Sequence, residues 1–296
     1  MARPGALVGR EAPVRPEEPM PLDRSWLLAT ARAEREAMGR TIQYTPPSAW
    51  EEESPVPGWR NRDLVAHLAA SEALAAAAVA GEPLAELEEY LEALDGEPFR
   101  LEAFDDWTVR RRVDQPVRAL AREWGRWADL FLSRVGKVPP EEWAARRVTW
   151  VAGEIGVAYL LQSRVAEWWV HGEDLLLGGG NPPRIEHPPI YCLNDLAIRM
   201  IPYSLSLAGL SFPGRTVKVE LEAAGGGEWH QGLAPGHVPE PDTEPDALIY
   251  GRAHAFALVA ARRVPAEYYL AEGVLLTAGD DPLAEAVLAH LRVEPP

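Results

Sequence analysis

The sequence predicts an α+β protein, with a four-helix bundle in front and a small α+β domain behind it. Three observations carry that expectation. Four long segments before residue 178 repeat apolar residues at helical spacing. The run Gly178-Gly-Gly-Asn-Pro-Pro then supplies a strong helix stop. Beyond it, Thr216-Val-Lys-Val-Glu-Leu-Glu alternates apolar and charged residues, the two-residue period of a strand. The expected division is a proline-rich N-terminal extension over residues 1–20, the bundle over 21–185 and the α+β domain over 186–296.

Taken in order, residues 22–43 read as the first helix, with Leu27, Ala31, Met38 and Ile42 on its apolar stripe. Thr45, Pro46 and Pro47 end it. After the breaker-rich Ser54-Pro-Val-Pro-Gly, residues 64–80 are dominated by Ala and Leu and form the second helix. Asn61 or a neighbour is its expected cap, and Asp63 suits the positive end of the helix dipole. An acidic segment over 83–94 reads as a short helix. Residues 116–138 form the third long helix, with Leu120, Trp124, Trp127, Leu130, Phe131 and Val135 at helical spacing. Residues 139–149 connect it to a fourth helix over 154–177. A further helix is expected over 188–210, kinked or ended by Pro202. Strands are expected at 216–222, 228–233, 247–250 and 273–280, and helices at 251–260 and 282–290.

A length of 296 residues allows one large or two medium domains with a sizeable core. The formal charge of −16 argues against nucleic acid as a partner, because phosphate binding needs a basic surface. The basic run Arg110, Arg111 and Arg112 is flanked by Asp105, Asp106 and Asp114, so it reads as solvated and internally balanced. Cys192 is the single cysteine, which excludes an intrachain disulfide and a cysteine-rich zinc site. Its neighbours Ile190, Tyr191, Leu193 and Leu196 point to a buried, inert thiol. There is neither a signal-peptide pattern nor an unbroken apolar run of membrane length. The expectation is a soluble cytoplasmic protein, monomer or homodimer, with no nucleic-acid or membrane partner.

The chemistry concentrates in Ser163-Arg-Val-Ala-Glu-Trp-Trp-Val-His-Gly-Glu-Asp. Glu167 and His171, four residues apart, share one helix face. Ser163, Arg164 and Asp174 extend that polar stripe, while Leu161, Val165, Trp168, Trp169 and Leu175 make the rest apolar. A carboxylate and an imidazole buried there must be paired, hydrogen-bonded or bound to a metal. A simple Glu–His pair is the plain alternative. His67 stands between Asp63 and Ser71 on the otherwise apolar second helix, and facing helices of a bundle commonly build metal sites. His67, Glu167 and His171 would make a two-histidine, one-carboxylate set with positions left open. The His-Glu-x-x-His protease pattern is absent, which removes the usual general base.

Two stretches carry a resemblance. Pro57-Gly-Trp-Arg-Asn-Arg-Asp-Leu-Val-Ala-His-Leu-Ala is similar to the second-helix signature of the mycothiol-dependent maleylpyruvate isomerase family, within the DinB/YfiT-like metal-binding superfamily. Glu167-Trp-Trp-Val-His171 resembles its fourth-helix motif, and the C-terminal domain looks, more loosely, like the family's sterol-carrier-protein-like partner domain. The resemblance implies a DinB-like bundle whose ligands His67, Glu167 and His171 hold a divalent metal, zinc for preference, with nickel or another ion as alternatives. It also implies a low-molecular-weight thiol such as mycothiol as cosubstrate and a small electrophilic substrate, for isomerase or S-transferase chemistry. An anionic substrate needs a cation, for which Arg164 and Arg252 are candidates unless each serves an ordinary salt bridge. Asp174 is a candidate to orient His171, or else a surface aspartate. Arg60 and Asn61 depart from the family's threonine at the start of helix two. The acidic segment 83–104 is unusual and could reshape the pocket mouth. The competing readings are a non-catalytic protein that binds a metal and a small ligand, and a metal-dependent hydrolase with Asp174 as base.

Overall fold

The computed structural model describes residues 22–151, 153–178, 181–240 and 243–293, so the extension expected over residues 1–20 lies outside the described residues. Helix α1 (Arg24–Tyr44) is capped by Asp23, whose carboxylate accepts the Trp26 amide at 2.8 Å. The expected stripe of Leu27, Ala31, Met38 and Ile42 is buried. Helix α2 (Asn61–Ala80) is secured at its start by Asp63, which accepts the Arg60 amide at 2.9 Å. Asn61 does not cap; its side-chain amide donates to the Ala49 carbonyl at 2.9 Å. Among the described residues α2 alone is long and apolar enough to cross a membrane, but 83% of its apolar window is buried in the bundle. Core packing therefore accounts for its composition.

Helices α3 (Ala85–Ala93) and α4 (Leu101–Arg110) form an arm between the second and third bundle helices. The sequence reading provides no helix for α4. It forms because Phe104, Thr108 and Val109 make a narrow buried stripe amid charges. The basic run that closes it is not simply solvated. Arg112 is 5% exposed and bridges Glu86 of α3 at 2.7 Å and Glu123 at 3.0 Å, and Arg111 pairs with Glu89. Only Arg110 uses a neighbouring aspartate, Asp106, at 3.9 Å.

Helix α5 (Val117–Val135) carries Leu120, Trp124, Phe131 and Val135 into the core. Strands β1 (Arg147–Trp150) and β2 (Gly153–Gly156) then form an antiparallel hairpin, and α6 (Val157–Gly178) starts later than expected. Strands of four residues are too short for their alternation to stand out in sequence. α2 packs on α5 and α1 on α6, while contacts of α2 with α6 and of α1 with α5 close the four-helix bundle.

The expected helix over 188–210 is two, α7 (His187–Arg199) and α8 (Ile201–Leu207), broken at Met200 ahead of Pro202. Strands β3 (Thr216–Glu222), β4 (Gly227–Gly232), β5 (Ala247–Arg252) and β6 (Leu275–Gly279) make one sheet in the order β4-β3-β5-β6. β3 and β5 are parallel and the other pairs antiparallel. α9 (Ala253–Ala260) and α11 (Asp281–His290) pack against it, with the unexpected short helix α10 (Ala266–Ala271) between them in sequence. Val217, Val219, Ile249 and Leu275 fill the core of this region. Helix α6 serves both cores: Val165 and Trp168 belong to the bundle, Ala166, Trp169 and Val170 to the sheet region. Cys192 is buried, and burial pushes its thiol well above the ordinary value, as an inert cysteine requires.

Candidate metal centre

The packing of α2 on α6 brings His67, Glu167 and His171 together. Glu167 Oε2 lies 3.3 Å from His67 Nε2 and 3.4 Å from His171 Nε2. The candidate donor atoms all fall within 4.8 Å of one another. The two imidazoles meet edge to face, with centroids 5.4 Å apart. Both histidines are buried, at 8% and 3% exposure. Glu167 and His171 meet through one turn of α6, and His67 joins them only through tertiary packing.

Each donor has an outer neighbour. Asp174 Oδ2 lies 3.0 Å from His171 Nδ1, and Arg263, from the segment after α9, grips both Asp174 oxygens at 2.7 and 2.8 Å. Arg164 approaches Glu167 Oε2 at 3.3 Å and Glu72 Oε1 at 3.6 Å. Trp168 Nε1 donates to that same Glu72 oxygen at 2.7 Å. Asp105 Oδ1 of α4 lies 3.6 Å from His67 Nδ1. Trp59 packs on the His67 ring at 5.2 Å and donates from Nε1 to Asp106 at 2.7 Å.

The electrostatics follow from that layout. Burial works against ionised Glu167, yet Arg164 and bonds from both imidazoles hold it well below the usual carboxylate range. Burial opposes a charged His171 too, but Asp174 and Glu167 raise it to about 9. Burial lifts Glu72 to about 7 against the pull of Arg164, and lifts Asp105 to about 6 against that of His67. Asp174, despite its burial, is held low by Arg263 and His171. The cluster thus sets four carboxyl groups, Glu72, Asp105, Glu167 and Asp174, against two guanidiniums, Arg164 and Arg263. In the metal-free protein one proton on His171 and one on Glu72 would meet the shortfall of two positive charges. A divalent cation on the three converging donors would meet it fully, and two imidazoles with one carboxylate are a donor set suited to zinc. The residues fit a metal.

His67 and Glu167 open onto a cavity of about 80 Å³ whose other walls include Leu74, Leu101, Phe104, Trp150 and Val293. The acidic segment 83–104, whose last residues begin α4, contributes Leu101 and Phe104 to the cavity wall. Of the remaining predicted residues, Arg164 lies in the centre, ion-paired with two carboxylates, and also lines the cavity. Asp174 is no surface aspartate; it is 1% exposed. Arg252 is not brought to the cluster. It ends β5 rather than starting a helix, and the strand register sets it opposite Glu222, with the two side chains 60% and 67% exposed and 3.4 Å apart. Strand alternation turns it away from the buried Ile249 side. Sequence reasoning missed Glu72, Asp105 and Arg263. An acid in the Ala-rich middle of α2, away from the helix start where Asp63 stands, signals Glu72, whereas nothing local marks Arg263.

Residues 31–176 match the family model of the mycothiol maleylpyruvate isomerase N-terminal domain, a span that holds all three donors. The match runs from within α1 to near the end of α6, so it spans all four bundle helices. A crystal structure of mycothiol-dependent maleylpyruvate isomerase, in a histidine-to-alanine variant, superposes with a TM-score of 0.57 at 17% identity, covering 87% of this chain and 93% of that one. A second structure of mycothiol-dependent maleylpyruvate isomerase gives 0.56 at 19% identity, over 82% and 90%. At such identities the likeness establishes the fold, which extends through the sheet region. An uncharacterised protein of Mycobacterium tuberculosis, from strains CDC 1551 / Oshkosh and ATCC 25618 / H37Rv, is 24% identical over 208 residues, 69% of this chain and 76% of its own length.

Proposed function

We propose that this protein is a metal- and thiol-dependent isomerase or S-transferase acting on a small electrophile, with His67, Glu167 and His171 as the metal ligands. The observation that carries the reading is the convergence of three donors, with no fourth protein ligand among the described residues, beside a cavity of mixed apolar and polar lining. A structural zinc site would be closed by four. A divalent ion held there, zinc for preference, would lower the pKa of a low-molecular-weight thiol such as mycothiol and so supply a nucleophile at neutral pH.

The chain's own residues prepare that chemistry. Asp174, clamped by Arg263, fixes the His171 ring with Nδ1 donating and Nε2 turned toward Glu167. Arg164 keeps Glu167 ionised. Since Arg164 already serves Glu167 and Glu72, we assign it to the centre itself rather than to a substrate anion. Leu74, Phe104 and Trp150 exclude water from the reacting groups. A hydrolase reading loses its nominated base, because both Asp174 oxygens are engaged. The ligand-binding alternative would use a groove of the sheet region in which Glu220, Glu222, Glu228 and Arg252 stand beside Leu221, Tyr250, Val274 and Leu276, a mixed lining that does not single out an apolar ligand.

The deciding experiment is elemental analysis of wild type and His171→Ala after chelator-free purification, followed by assays of thiol-dependent isomerisation with maleylpyruvate and of thiol consumption with other small electrophiles. About one divalent ion per chain, lost in the variant, with thiol-dependent turnover only in loaded wild type, is the expected result. A wild type that takes up no metal would overturn the reading.

A further inference from the structure

The two imidazoles of the centre are not held alike. His171 has its outer nitrogen on Asp174 at 3.0 Å. His67 Nδ1 is buried and has no hydrogen-bond partner, although the Asp105 carboxylate faces it at 3.6 Å. That gap lies just beyond hydrogen-bond reach, and closing it takes a shift of under ~1 Å. Among the described residues no hydrogen bond engages the Asp105 side chain. Yet its helix is well placed to respond: Leu101 and Phe104 of α4 wall the cavity, and Asp106 ties α4 to Trp59, which itself lies on the His67 ring.

We propose that Asp105 is the positioning residue for His67, and that α4 is thereby a moving part of the metal centre. The inference rests on the metal reading above. While the centre is empty, either nitrogen of His67 can carry its proton, and Nε2 can spend it on Glu167. With Nε2 taken up as a ligand, the proton is confined to Nδ1, which becomes an obligatory donor with one carboxylate in front of it. Asp105 accepts it, the 3.6 Å gap closes, and α4 settles over the cavity. Occupancy of the centre and closure of the pocket wall are then one equilibrium. The arm between α2 and α5 contributes an outer ligand partner, as the segment after α9 does through Arg263 on the other side.

The test is a zinc titration of the metal-free protein against a chromophoric chelator, paired with amide hydrogen exchange across residues 101–110 with and without zinc. Asp105→Ala is expected to weaken zinc binding by about 10–100-fold, and Asp105→Asn, which keeps the shape and a weaker acceptor, to fall between it and wild type. Zinc should slow exchange in α4 by about tenfold or more in wild type and leave Asp105→Ala unchanged. A purely structural role would alter the exchange of the metal-free protein, not its response to zinc. Should Asp105→Ala fail to fold, Asp105→Asn carries the test. Zinc bound as tightly by the variants as by wild type, or α4 exchange indifferent to zinc in wild type, would overturn the inference and leave the centre standing. Wild type that binds no zinc would remove both.

Discussion

The His171 side and the His67 side of the centre solve the same problem with different hardware. On the His171 side the orienting carboxylate is three residues away on the same helix, and Arg263 pins it from the sheet region at 2.7 and 2.8 Å. On the His67 side the facing carboxylate comes from a separate helix, stands off at 3.6 Å and has no clamp among the described residues. The first arrangement is rigid by construction, because one turn of α6 sets the distance. The second depends on how closely two helices pack, which leaves it free to move. Preorganisation on one side and adjustability on the other suit a site that must keep its ligands while admitting a cosubstrate and a substrate.

That contrast can be broken most severely at Arg263. Asp174 is 1% exposed, so Arg263→Ala would strand a buried carboxylate with only His171 for company. Urea denaturation should show a loss of about 3–5 kcal/mol, the usual cost of removing one partner of a buried pair. An effect below about 1 kcal/mol would mean that the His171 side is no more rigid than the other.

A pH series sharpens the same point at somewhat smaller cost. His171 rises to about 9 in the folded metal-free protein from an ordinary value of 6.5. Folding therefore favours its protonated form. The stabilisation is complete below about pH 6.5 and drains away as pH climbs through about 9, by up to about 3 kcal/mol. Metal-free protein should lose stability across that window in denaturant melts, whereas zinc-loaded protein, with His171 held neutral as a ligand, should not. Parallel curves for the two forms would contradict the assignment of His171.

The smallest effect is expected at Arg252, the control for both sides. Its exposed pairing with Glu222 is worth no more than about 0.5–1 kcal/mol. Arg252→Ala should leave zinc affinity unchanged, and a marked loss would return this residue to the site.

The pattern of hits and misses in the sequence has a physical cause. Four bundle helices announce themselves through long apolar stripes, and Glu167, His171 and Asp174 through spacing within one helix. Helix α4 hides because its three buried residues sit among acids and arginines, and the β1–β2 hairpin because four residues are too few to show a period. Arg252 misleads because the Gly-Arg pair reads as a helix start, while the register with β3 keeps it in strand.

The sequence by itself determined the bundle, the stop after α6, the strand pattern of the second region and the face that carries Glu167 and His171. These rest on local periodicity, which the chain encodes within a few turns. Only the tertiary structure decided that His67 would join that face, that Arg263 rather than Arg252 would reach it, and that Asp105 would leave the basic run to stand before an imidazole. Those outcomes depend on which helices pack and how closely, and burial then makes every carboxylate in the cluster seek a counter-charge.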